Sequence, residues 1–138
     1  MSELTITHVN PETMHANPAF SQAVTVEGNA KTIYVGGQNA VGPDGSVVGE
    51  GDLAAQVAQA LANLETVLTA AGATKQDVVK WTILVLQGQD LMAGFTAFQE
   101  NWGPMEKAPA ITSAFVAALA NPAFLVEIEA VAVVAASR

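Results

Sequence analysis

The stretch from Asp52 to Gly72 constrains this chain more than any other. Apolar residues recur at Leu53, Val57, Ala60, Leu61, Leu64, Val67, Leu68 and Ala71, the spacing of one face of an α-helix. Asp52 can cap the first turn, and Gly72 stands where a left-handed stop belongs. Gln56, Gln59, Asn63 and Glu65 read as the solvated face. A helix with one apolar stripe needs a layer to cover it. The runs on either side have strand character, so the sequence predicts helices packed on a sheet.

Leu4 to Val9 alternates apolar and polar residues as a half-buried strand does, and Asn10-Pro11 ends it. A loop rich in proline and asparagine runs to Asn17-Pro18. Ala23 to Glu27 and Thr32 to Val35 read as strands joined by a Gly28-Asn29 hairpin turn. After the first helix, Asp77 to Leu86 is a buried strand. Asp90 then caps a second helix, with Leu91, Phe95, Phe98 and Trp102 at helical spacing and Gly103-Pro104 as its end. Ile111 to Ala117 and Phe124 to Val134 close the chain as strands. The last alternates Val126, Ile128, Ala130 and Ala132 against Glu127, Glu129, Val131 and Val133, one apolar face for the helices and one wet or subunit-facing. The order β-β-β-α-β-α-β-β predicts one α+β domain over residues 1–138, a mixed sheet with both helices on one face.

Charge narrows the partners. Five basic against thirteen acidic residues give a net charge of −8, and the lysines are scattered, so no basic patch is predicted for nucleic acid or an anionic membrane. The chain has no cysteine, which excludes disulfides and thiol chemistry, and its two histidines are too few for an ordinary all-histidine zinc site. No metal or cofactor is expected. No signal-peptide pattern or membrane-spanning run is present, so a cytoplasmic protein is predicted. Half of the residues (51%) are hydrophobic and only 13% are charged, too few charges to cover the surface. That imbalance predicts apolar surface covered by copies of the same chain.

Several strings together resemble the reactive-intermediate deaminase (Rid, or YjgF-like) family. They are Asn17-Pro18-Ala19-Phe20-Ser21-Gln22-Ala23-Val24, Val35-Gly36-Gly37-Gln38, the Gln56 to Asn63-Leu64 spacing with Ala70-Ala71-Gly72, Asp77-Val78-Val79-Lys80, and Val126-Glu127-Ile128-Glu129-Ala130-Val131-Ala132. They follow in family order along nearly the whole chain. The resemblance implies a chorismate-mutase-like fold, a homotrimer with clefts between subunits, and hydrolysis of small enamines or imines with release of ammonia. It also implies an arginine after a Pro-Ala pair, to hold a substrate carboxylate, and a glutamate on the last strand that places a water.

The chain departs from that pattern at Pro109-Ala110-Ile111-Thr112-Ser113, where isoleucine replaces the arginine; its single arginine is Arg138. No other side chain offers the two-pronged fork of a guanidinium, so the standard carboxylate clamp is predicted to be missing. By the resemblance Glu127 is the candidate catalytic carboxylate. His15, in the loop before Phe20, is a second candidate for proton transfer. Phe20, Phe95 and Ile111 are candidates to line an apolar pocket, although the helical spacing of Phe95 and Phe98 favours core packing for both; Ser113 is a further ligand-binding candidate, and Gly37 serves either strand geometry or close backbone approach to a ligand. Two functions follow: a Rid-like hydrolase or deaminase lacking the usual clamp, or a non-catalytic trimer that binds a small metabolite or shields client proteins.

Overall fold

The computed structural model describes residues 3–136. Its strands are β1 (Thr5–Val9), β2 (Ala23–Glu27), β3 (Ala30–Gln38), β4 (Val78–Leu86), β5 (Ala110–Val116) and β6 (Val126–Ala135). The helices are α1 (Leu53–Ala70) and α2 (Leu91–Trp102), with a short 3₁₀ turn at Lys75–Asp77. Element order and the α+β class agree with the sequence, and both helices pack on one face of a mixed sheet.

The caps form as expected. Asp52 accepts the Ala55 N–H at 3.1 Å, and Asp90 accepts those of Met92 and Ala93 at 3.0 and 3.3 Å. Gly72 and Gly103 take the positive φ that ends each helix. Leu53, Val57, Ala60, Leu61, Leu64 and Leu68 of α1 are buried against Ile33, Val35, Ile128, Ala130 and Ala132 of the sheet. From α2, Phe98 and Trp102 meet Trp81 of β4 edge-on, at centroid distances of 5.1 and 4.8 Å. Both tryptophans are packing residues, and edge-to-face geometry suits the ring quadrupoles.

Two expectations are corrected. The sheet is not continuous: four strands run in the order β3-β6-β4-β5, with β4 and β5 parallel, while β1 and β2 form their own antiparallel ribbon. Gly28-Asn29 therefore turns the chain without making a β2–β3 hairpin. The pairing edge of β2 is taken by β1, with Thr5 opposite Glu27. Gly28 is needed there because a Cβ would lie 2.8 Å from the Glu3 carbonyl carbon, and because its φ is +96°.

The second correction concerns the polar face of α1. Gln56 is fully buried, donating to the carbonyls of Gly49 (3.2 Å) and Ala123 (2.9 Å) and accepting from the Leu125 N–H (2.8 Å). Asn63 donates to the carbonyls of Asn39 and Val41, and Gln59 donates to Asn63. Of the four residues assigned to solvent, Glu65 is the exposed one, 3.6 Å from Lys75. These amides hold the segment after β3 and the segment entering β6 to the helix. Gln56→Leu keeps the volume but leaves the Ala123 carbonyl and the Leu125 N–H without their partner, the Gly49 carbonyl keeping the Asp52 N–H at 2.9 Å, and is expected to cost about 2 kcal/mol or more. Urea unfolding measures this; a loss under about 1 kcal/mol would show that the two groups find other partners.

Candidate functional site

Pleating decides where the candidate side chains go. Successive residues of a strand point to opposite faces, and residues paired across neighbouring strands point to the same one. Trp81 pairs with both Ile111 and Ala130, and Ile83 pairs with both Ser113 and Ile128. Trp81, Ala130 and Ile128 are core residues under the helices. Ile111 and Ser113 therefore lie on the helix-covered face. Glu127 pairs with Leu84, which also pairs with Ala114, and so lies on the opposite face.

On that opposite face the glutamate is held in place. The β3–β6 register shifts between Val35 and Gln38, so Gly36 and Gly37 together span one position of β6, a β-bulge. Glu127 packs into the space this leaves: a Cβ on Gly37 would fall 2.7 Å from the Glu127 carboxyl carbon. Asn39, just beyond β3, donates its side-chain amide to Glu127 Oε1 at 3.2 Å and to the Val126 carbonyl at 3.1 Å. The Asn39 carbonyl in turn accepts from Asn63 of α1. A line of amides thus runs from Gln59 through Asn63 and Asn39 to one oxygen of Glu127. Gly37, expected to let a ligand approach, makes room for the glutamate itself. Asn39 was not picked out from the sequence, although it directly follows the glycine-pair string that carries the resemblance.

On the helix-covered face, Ser113 shares a pocket with Phe95, Leu53 and Ile83. Phe95 also joins Ile111, Trp81 and Pro18 around a neighbouring pocket of about 200 Å³. Phe95 is 39% exposed, so it is a wall of these pockets and not a core residue. Phe20 lies further along, lining a third concavity with His8 and Lys107. His15 meets Phe20 edge-on at 6.2 Å and is exposed. Arg138 lies outside the described residues. One chain thus brings Phe95, Ile111 and Ser113 to one flank, pairs His15 with Phe20, and sets Glu127 with Gly37 on the other side of the sheet.

Gly37→Ala is expected to keep the fold, because the atoms in the way belong to the end of a flexible side chain. The melting temperature should fall by no more than about 5 °C, while a crystal structure of the variant shows Glu127 displaced from Asn39. Gly36→Ala, whose Cβ would meet nothing within 4 Å, is the control. An unmoved Glu127 in Gly37→Ala would contradict the packing described.

Comparison with known proteins gives this geometry a family. The family model described as Endoribonuclease L-PSP matches residues 11–134. The human 2-iminobutanoate/2-iminopropanoate deaminase is 36% identical over 116 residues, covering 83% of this chain and 79% of that protein. The rat deaminase of the same name is 42% identical over 72 residues, a match spanning about half of each chain (52% and 50%). Among solved structures, a protein of unknown function of the conserved Rid protein family from Yersinia pestis, YyfB, superposes with a TM-score of 0.78 at 37% identity, covering 92% of this chain and 97% of that one. With the family model matched from Pro11 to Val134 and the fold shared along almost the whole length, this chain belongs to the Rid (YjgF-like) family.

Proposed function

We propose that the protein is a Rid-type deaminase that hydrolyses a small enamine or imine without the usual carboxylate clamp, in clefts formed between the copies of a homotrimer. The observation that carries this reading is Glu127, fixed by Asn39 and Gly37 on the helix-free face of the sheet. A carboxylate held by one oxygen keeps the other for a water. In the proposed step Glu127 takes a proton from that water as its oxygen attacks the imine carbon. That proton passes to the nitrogen to give a carbinolamine; the new hydroxyl group then gives up its own proton to the nitrogen through Glu127 as the C–N bond breaks, and a carbonyl compound and ammonia leave. No redox partner is needed. The relatives named 2-iminobutanoate/2-iminopropanoate deaminase support this reaction type.

The separation of the candidate residues supports an assembly of several copies. Within one chain Glu127 faces away from Ile111, Ser113 and Phe95, so a cleft using both groups draws them from different copies. The chain also leaves large apolar side chains bare, with Tyr34 80% exposed and Phe115 49%. Such surface is normally covered by a partner.

Ile111 shapes what the cleft accepts. An apolar side chain at the family's arginine position, beside Phe95 and Trp81, favours a neutral, partly apolar ligand over a 2-imino acid. The same observation favours a second reading, a trimer that binds a small apolar metabolite without turning it over. Kinetics separates the two. Wild-type protein is expected to turn over 2-iminopropanoate weakly, and Ile111→Arg to raise that rate by roughly tenfold or more, the worth of a charged hydrogen-bonded pair. Glu127→Gln is expected to lower turnover in either background by about 10²–10⁴-fold. Equal rates with and without Glu127 in the Ile111→Arg background would leave the binder.

A further inference from the structure

We propose that the pocket beside Ile111 seats an aromatic ring, so that the substrate is an imine or enamine bearing a neutral aryl group. The choice of substrate rests on the reaction proposed above, whereas the ring seat itself rests on the geometry of one chain.

Size and charge single this pocket out. It holds about 200 Å³, and among the described residues no titratable side chain lines it. Two neighbouring concavities are lined by His8 and Lys107, one of them with Asp77 and Glu106 as well. The apolar pocket at Ser113 and Leu53 is uncharged too, but it holds about 30 Å³. An apolar cavity of about 150 Å³ takes up benzene, so the pocket at Ile111 is large enough for a ring and the one at Leu53 is not.

The lining suits a flat π-system. Both tryptophans of the chain, Trp81 and Trp102, border the pocket together with Phe95 and Phe98. Trp81 locks Phe98 and Trp102 edge-on, and the last two are tilted at a centroid distance of 6.5 Å, so the three rings form one fixed surface. A further ring gains attraction from such a surface beyond the area it buries. Met105 adds a thioether, which is a favourable neighbour for a ring. Its sulfur is held by the Trp102 Nε1–H, which it accepts at 3.3 Å.

The space stays open because the segment from Pro104 to Pro109, which completes the lining, is tied down from outside it. Gln76 donates its side-chain amide to the Pro104 carbonyl at 3.1 Å and accepts the Glu106 N–H at 2.9 Å. The Ala108 carbonyl accepts from the Ser21 hydroxyl at 2.6 Å and from His8 Nδ1 at 2.8 Å, and the Pro109 carbonyl accepts from the Ser21 N–H at 3.0 Å. None of Gln76, Ser21 and His8 lines the pocket. Settling of the segment onto the rings would break these bonds, so a ligand meets a preformed site and pays little for ordering it. Ile111 follows directly in β5, on the same face as Ser113, which puts the ring seat at the cleft proposed for the reaction.

Acetophenone, a neutral ring with the carbonyl head of a hydrolysis product, is the probe. Acetone keeps the head without the ring, cyclohexyl methyl ketone makes the ring saturated, and benzoate gives it a charge. The indole N–H signals of Trp81 and Trp102 in ¹⁵N-labelled protein report on the pocket, since both residues line it. Acetophenone at roughly millimolar concentration is expected to shift both saturably, and acetone to leave them in place. Cyclohexyl methyl ketone should bind several-fold more weakly, and benzoate at least about tenfold more weakly. Ile111→Arg should weaken acetophenone at least about tenfold and put benzoate ahead of it. Gln76→Ala, at an exposed position outside the lining, should weaken acetophenone several-fold by releasing the segment. No saturable shift, saturated ring or benzoate bound as tightly as acetophenone, or an affinity unchanged in both variants would each overturn the ring seat. The readout is binding, so a protein that binds acetophenone yet hydrolyses no imine sinks the proposed reaction and leaves the seat. Hydrolysis without a seat for the ring does the reverse.

Discussion

Strand β6 is hydrogen-bonded on both sides, to β3 and to β4, and its pleat sets the geometry of everything else. Val126, Ile128, Ala130 and Ala132 point under the helices and are buried, which fixes the register of the strand by burial alone. Glu127 and Glu129 must then point the other way. A slip of one residue would place two carboxylates among Leu61, Leu64 and Trp81, which no hydrogen bond there could offset. The core and the candidate carboxylate are thus consequences of one alternation. So is the separation of Glu127 from Ile111 and Ser113, which the same register carries to the opposite face through β4.

A second layer of control is polar. Gln56 and Asn63 are the two polar positions by which the first helix resembles its family, and both act on backbone outside the helix. Gln56 ties the Gly49 turn to the segment entering β6, and Asn63 ties down the loop after β3. Asn39, at the start of that loop, reaches Glu127. The helix therefore positions the carboxylate through two intermediates while its apolar side builds the core. The glycine bulge opposite β6 supplies the space, and the amide line supplies the direction.

Much of this was legible in the sequence, and the misses have physical causes. Caps at Asp52 and Asp90 and the alternation of β6 are local signals, and each element formed within a few residues of its expected bounds. Gln56 sits three residues after Leu53 and four before Ala60, so helical spacing already placed it on the apolar face; its polarity hid that. The Gly28-Asn29 turn was read correctly as a turn but not as one whose flanking strands pair elsewhere, because ladder partners are a long-range property. The opposition of Glu127 to Ile111 was likewise out of reach. Parity along one strand is written in the sequence, whereas register between strands is not.

The central claim is that one chain carries two halves of a site which only another copy can complete. Light scattering on the purified protein at roughly micromolar concentration tests it most directly. The account predicts a particle of about three times the 14.2 kDa chain mass. A particle of one chain mass would contradict it, because Glu127 and Ile111 would then never share a cleft.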